Sequence, residues 1–286
     1  MNRVGIYYAY WTHDWNADFL PFVHKVKGLG FNALEVNSGT IAAMSAGERR
    51  RLREEAAAAD VELSYCIGLP REYDIASDSA ETRSSGIRYL RSQAQAIGAM
   101  GGGKLSGIIY GAWPSTLPDG ADKRRYVERS VASMREAVRT AEDQGVYFNV
   151  EVVNRFEQFI LNTCEEAVDY VEAVSSPNCG ILLDTFHMNI EEDSIGGAIR
   201  LAGTHLGHLH VGENNRKPPG YGHIPWKHVG QALRDIGYTG SVVMEPFLQP
   251  GGEVGRDIKV WRPVMPEADL DREAEKACAF MKSILQ

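Results

Sequence analysis

Four residues able to bind a metal, Glu151, Asp184, His210 and Glu245, stand at the carboxyl ends of separate apolar runs, in YFNVEVV, CGILLDTFH, LGHLHVG and SVVMEPF. A buried strand seldom ends in an acid by accident. An unpaired carboxylate beside a core is costly unless it is paired, hydrogen-bonded or bound to a metal. The four recur roughly every 25 to 35 residues, the length of one strand plus one helix. If the strands run parallel, all four side chains meet at one mouth. Three acids and one imidazole make a hard, mostly oxygen site that suits Mn²⁺ or Mg²⁺ better than a structural zinc.

Glu151 sits between Val150 and Val152, and Glu245 between Met244 and Pro246, so neither belongs to a solvated charge run. Facing each other across a mouth, two such carboxylates can act as base on one side of a carbon and acid on the other. The plainer reading pairs each acid with a barrel lysine or arginine. It serves for one acid alone but not for four, because these runs hold few basic residues. Asp184 has His187 three residues on; separately they read as a helix cap and a core histidine, together as a ligand and a substrate-orienting donor. His208 and His210 share one strand face, which gives the ligand role to His210 at the mouth and a structural role to His208 one layer down. Glu157 and Arg216 follow ligand-bearing runs in loops, where a carboxylate and a guanidinium can recognise hydroxyls. Trp15, Trp113 and Phe247, at or just beyond strand ends, offer aromatic walls for a carbohydrate face.

Eight strand-like runs carry these groups, at 4–10, 33–37, 62–68, 105–111, 147–153, 179–185, 206–212 and 241–247. Amphipathic helix patterns lie between them, with Ser45 and Glu48 spaced as a capping box and Gly145 and Gly237 where helices end. Eight such alternations predict a (β/α)₈ barrel, an α/β fold with functional residues at the C-terminal face of its strands. A doubly wound open sheet is the rival, but no glycine fingerprint follows the first run. Gly101, Gly102 and Gly103 follow a helix pattern and read as its stop. No linker or low-complexity tract interrupts the 286 residues, so residues 1–286 are expected to form one domain.

Composition is ordinary for a globular chain, and the net charge of −8 gives no general attraction to nucleic acid or to an anionic membrane. Cys66, Cys164, Cys179 and Cys278 are scattered without a CxxC pair, which favours a reducing, cytoplasmic setting. The chain opens on an apolar run without a charged leader, and no stretch approaches 18 apolar residues.

The strings EVVNRFE (151–157), LDTFHMNIEED (183–193), GHLHVGENNR (207–216), VVMEPF (242–247) and VWR (260–262) resemble those of the ketose 3-epimerases, the D-tagatose and D-psicose (D-allulose) 3-epimerase family. The resemblance extends to the opening GIYYAYW and to CIGL at 66–69. It implies a barrel related to xylose isomerase, with one divalent ion, Mn²⁺ foremost and Co²⁺ or Mg²⁺ as alternatives, held by Glu151, Asp184, His210 and Glu245. It further implies a small ketose substrate, with Glu151 and Glu245 removing and returning the C3 proton through a cis-enediolate. Glu157, His187 and Arg216 then hold the first three oxygens, and Tyr7, Trp113 and Phe247 form walls; Cys66 leans toward the tagatose-type branch. D-tagatose, D-psicose with D-fructose, and L-ribulose all stay open as substrates. Relatives assemble as homodimers or homotetramers. The rival functions are an aldose-ketose or hydroxypyruvate-type isomerase on a similar barrel, a metal-dependent DNA phosphodiesterase, which the negative charge disfavours, and a sugar-binding protein without turnover.

Overall fold

The computed structural model describes residues 2–286, and its strands close into a parallel barrel in sequence order. The strands are β1 (Val4–Tyr7), β2 (Ala33–Asn37), β3 (Glu62–Cys66), β4 (Gly103–Gly107), β5 (Val146–Val152), β6 (Cys179–Asp184), β7 (Leu206–Val211) and β8 (Val242–Met244). β8 pairs with β1, so no edge is left and the doubly wound rival is excluded. Helices such as Ala80–Ala99, Lys123–Asp143 and Leu270–Leu285 cover the outside. Their apolar faces bury Leu90, Met134, Val138 and Met281 against the outward side chains of the strands.

All eight expected strands are present, but most are shorter than their apolar runs. The run 4–10 leaves the sheet at Tyr7, and Tyr8–Tyr10 form a 3₁₀ turn whose Tyr8 ring packs edge-on against Phe19. The run 105–111 begins earlier, at Gly103, and stops at Gly107, where φ is +116° and a β-carbon would meet the Ile67 carbonyl oxygen at 2.3 Å. Only glycine fits that approach. β8 holds three residues, and Glu245 lies just past its end. The Ser45–Glu48 capping box forms as expected, with Ser45 N–H donating to Glu48 at 2.7 Å. Gly145 and Gly237 both take φ of +64° at helix ends, and the Gly102 N–H donates back to the Ile97 carbonyl, closing the preceding helix. Four short helices lie outside the expected set: Ser38–Ala43, Thr185–Glu191, Ile195–Ala202 and Gly252–Asp257. Each is too short to show an amphipathic period over several turns.

The barrel interior departs from the usual filling of branched aliphatics. Glu35, Ser64, Ser106, Asn149 and His208 are all buried in it and joined by hydrogen bonds: Ser64 donates to Glu35 at 2.8 Å, Asn149 to Ser106 at 3.2 Å. This polar layer lies directly under the mouth.

Candidate active site

Glu151 is the penultimate residue of β5, Asp184 the last of β6 and His210 the penultimate of β7, with Asp184 opposite His210 in the register. Glu245 follows β8, yet its N–H still donates to the Val211 carbonyl at 3.0 Å, which holds its side chain at the level of the other three. One donor atom from each of the four lies within 4.8 Å of the others. The Nδ1 atom of His210 is 3.8 Å from Glu151 Oε1 and 3.7 Å from Glu245 Oε2. It is buried and has no hydrogen-bond partner. Asp184 also caps the helix Thr185–Glu191 by accepting from the Phe186 N–H at 2.6 Å, so the helix-cap reading and membership of the cluster hold together.

Arg216 answers part of this negative charge. Held at φ +60° in its loop, it donates to Asp184 at 2.9 Å and Glu245 at 3.2 Å, with its guanidinium 4.2 Å from the Phe186 ring centre. Two of the acids are therefore paired, by a cation that comes from a loop and not from a strand. One guanidinium still faces three carboxylates. Burial pushes the Glu151 carboxyl well above the usual range, and Glu245 and Asp184 add to it against the opposing pull of His210. Burial acts on Asp184 too, but Arg216, His210 and the Phe186 N–H outweigh it and hold that carboxyl at about 2. Burial lowers the proton affinity of His210, while Glu35 and Glu245 more than reverse this and keep it well above the usual histidine value. An imidazole nitrogen without a partner, three acids and a deficit of positive charge fit a divalent cation, which would displace the proton.

Above the cluster opens a cavity of about 330 Å³. Tyr7, Trp15, Cys66, Trp113, Glu157, His187, Arg216 and Phe247, all eight residues expected to touch substrate, line it together with Glu151 and Glu245. Asp184 and His210 lie beneath its floor, fully buried. His187 Nδ1 accepts from the Asn154 N–H at 3.2 Å and lies 2.8 Å from Asn154 Nδ2. Burial also holds this ring below the usual histidine value, so it is neutral and carries its proton on Nε2, toward the cavity. Arg216 Nη2, 3.4 Å from that nitrogen, is then a neighbour and not a donor to it. Glu157 accepts from Trp113 Nε1 at 3.1 Å and from Asn154 at 3.0 Å. Burial opposes its ionisation, but Arg216 and the hydrogen bonds from Trp113 and Asn154 prevail and keep it a carboxylate. Trp15 donates to Asp257 at 2.8 Å, tying the first loop to the helix after β8.

Three participants were not singled out from the sequence. Asn154 stands in a loop and Asp257 at the end of a short helix beyond β8, where sequence spacing carries no geometry. Glu35 was legible by the same sign as Glu151, an acid between two apolar residues of a strand. Its carboxylate accepts from His210 Nε2 at 2.5 Å and His208 Nε2 at 2.7 Å, so His208 does lie one layer below His210. The four cysteines are free and buried. Among the described residues no helix is long and apolar enough to cross a membrane.

A closed eight-stranded parallel barrel with this cluster at the carboxyl ends of its strands belongs to a known class, and the family model for the xylose isomerase-like TIM barrel matches residues 23–283. Within that class the D-psicose 3-epimerase of Ruminiclostridium cellulolyticum is 45% identical over 285 residues, 99% of this chain and 97% of its own. The D-psicose 3-epimerase of Agrobacterium fabrum is 41% identical over 284 residues, 98% of each. The crystal structure of D-psicose 3-epimerase with D-tagatose from Clostridium cellulolyticum H10 superposes with a TM-score of 0.97 at 44% identity, covering 99% of both chains. The chain belongs to the ketose 3-epimerases and is an isomerase of the carbohydrate epimerase class.

Proposed function

We propose that the protein, acting as one catalytic domain over residues 1–286, inverts C3 of free ketoses with Glu151 and Glu245 as its two proton-transfer groups, and that D-psicose and D-fructose are its principal substrate pair. The observation that carries this reading is the pair of buried glutamates on β5 and after β8, opening on one cavity with His210 Nδ1 almost equidistant from them. The choice of sugars rests on the activity of the relatives that are 41 to 45% identical. Glu151, Asp184, His210 and Glu245 would hold a divalent cation, Mn²⁺ ahead of Co²⁺ or Mg²⁺, which would supply positive charge that acidifies the hydrogen alpha to the ketone.

One glutamate takes the proton from C3, leaving a cis-enediolate, and the other returns a proton to the opposite face; in the reverse direction they exchange roles. A single base would return the proton to the face it left. Arg216 and the Nε2–H of His187 stand where negative charge develops on the substrate oxygens, and Glu157 accepts from a hydroxyl. Tyr7, Trp15, Trp113 and Phe247 wall the sugar off from water, with Cys66 present as a neutral thiol because burial raises it.

The test is incubation of Mn²⁺-loaded and EDTA-stripped protein with D-fructose, D-tagatose and L-ribulose in D₂O, read by NMR. Metal-dependent C3 epimers carrying deuterium at C3, fastest with D-fructose, are expected. An aldose product carrying deuterium at C2, with deuterium at C1 of the recovered ketose, would assign an isomerase instead, and exchange with no sugar would leave a binding protein.

A further inference from the structure

We propose that Glu35 is a positioning residue for the metal site: its carboxylate accepts a hydrogen bond from the Nε2–H of each barrel histidine and leaves Nδ1 as the one nitrogen that His210 can present to the mouth. The inference rests on the reading of His210 as a ligand.

A carboxylate only accepts hydrogen bonds, so each ring nitrogen facing it must carry the proton. Glu35 Oε1 is 2.5 Å from His210 Nε2, and Oε2 is 2.7 Å from His208 Nε2 and 2.8 Å from the Ser64 hydroxyl. The three partners come from β7 and β3, while Glu35 stands on β2, so the contact spans the barrel interior. Two donors on Oε2 stop the carboxylate from rotating away from His210. On the far side of that ring, Nδ1 has no hydrogen-bond partner and faces Glu151 and Glu245. Glu35 itself is fully buried and does not line the cavity, so it acts only through His210. Cys66 also comes within 4.8 Å of Glu35 and His210. Both oxygens of Glu35 are already engaged, which argues against a second cation there. A residue needed only to fill the interior could be apolar and avoid the desolvation of a carboxylate. A carboxylate bridging two imidazoles does what an apolar residue cannot: it sets ring orientation and tautomer.

An amide at position 35 breaks this arrangement, because it offers one acceptor and one donor to two ring N–H groups. One ring must turn or move its proton to Nδ1. The experiment is calorimetric titration of the metal-stripped protein with Mn²⁺, comparing wild type, Glu35→Gln, His208→Gln and His210→Ala. Glu35→Gln should weaken Mn²⁺ binding by roughly 10- to 100-fold. His208→Gln, whose amide N–H can still donate to Glu35, should weaken it by less than about threefold, which separates positioning of His210 from general disturbance of the interior. Glu35→Gln binding Mn²⁺ as wild type does, while His210→Ala does not bind, would overturn the role of Glu35 alone. Wild-type affinity in His210→Ala would overturn the ligand reading beneath it. If Glu35→Gln does not fold, long-range ¹H–¹⁵N spectra of the Mg²⁺-loaded wild type decide: a protonated Nε2 on His210 supports the proposal, and a protonated Nδ1 overturns it.

Discussion

Two adjacent layers of this barrel contain the same side-chain types and treat protons in opposite ways. In the interior, Glu35 meets two histidines and a serine at 2.5 to 2.8 Å, and every oxygen of the carboxylate has a donor. Burial alone would raise its proton affinity, but the His210 and His208 rings outweigh burial and hold it well below the usual carboxylate range. At the mouth one guanidinium serves three acids, bonding Asp184 and Glu245 but not Glu151, and burial leaves the Glu151 carboxyl well above that range. The difference is in the supply of donors, not in burial, since both layers are closed to solvent apart from the cavity. His210 belongs to both, with Nε2 committed to the satisfied layer and Nδ1 left for the deficient one. The interior is built to hold a carboxylate as it is, and the mouth to receive a cation.

Chemistry should separate the layers first. Glu151→Gln or Glu245→Gln should lower turnover by roughly 10²- to 10⁴-fold with the circular dichroism spectrum unchanged, since each removes a proton-transfer group. Near-normal turnover of either variant would eliminate the two-base mechanism. Stability should then separate them in the other direction. His208→Ala leaves one Glu35 oxygen with Ser64 alone, and should cost about 3 kcal/mol in urea unfolding. Metal-stripped Glu151→Gln, an isostere of the protonated acid, should be at least as stable as wild type at pH 8. A loss there equal to that of His208→Ala would mean that the mouth carboxylates are as fully satisfied as the carboxylate of Glu35.

The pH dependence follows from the same opposition. Glu35 is depressed on folding, so its contribution is present above the ordinary value of 4.5 and is lost as pH falls. Glu151 is raised, so the stability linked to its proton is present below 4.5 and is lost as pH rises toward its folded value; His210, also raised, loses its part as pH climbs from 6.5. A cation displaces these protons. The increase in Tm on adding Mn²⁺ should therefore be larger at pH 8 than at pH 6, with affinity changing by about tenfold per pH unit for each proton released. An increment that does not vary with pH would show that the mouth holds no proton for a cation to displace.

The barrel was legible because strand and helix alternate eight times, and the mouth was legible because parallel strands must bring their carboxyl ends to one face. Glu151, Asp184 and His210 are strand residues, so their relative heights follow from the period of two and from the register. Arg216 is a different case: its place depends on a loop held by Glu213, whose carboxylate accepts from Gly220 and Ile224 N–H and from Trp226 Nε1. Nothing in the spacing of those residues encodes that closure. Glu35 carried a usable sign, an acid inside ALEVN, yet it stands in mid-strand, and a pattern that looks for ligands at strand ends passes over it. The apolar runs overstate the strands for a related reason: Tyr8, Tyr10, Ile108 and Ile109 are buried under loops and helices outside the sheet, and hydrophobicity reports burial whichever element provides it.

The smallest perturbation tests whether the interior layer is a lock or only a favourable place for charge. Ser64 donates to the same Glu35 oxygen as His208, and in Ser64→Ala that oxygen keeps His208 and loses one neutral donor. If the carboxylate is held by the sum of its partners, the loss should be about 1 kcal/mol, the net worth of one hydrogen bond, with Mn²⁺ affinity changed by less than about threefold because His210 is still engaged. If the layer instead depends on both donors to fix the carboxylate plane, Mn²⁺ affinity should fall further than stability does. Urea unfolding and calorimetry on the one variant distinguish the two. A fall in affinity without a matching fall in stability would mean that the satisfied layer serves the deficient one through orientation, with charge balance secondary.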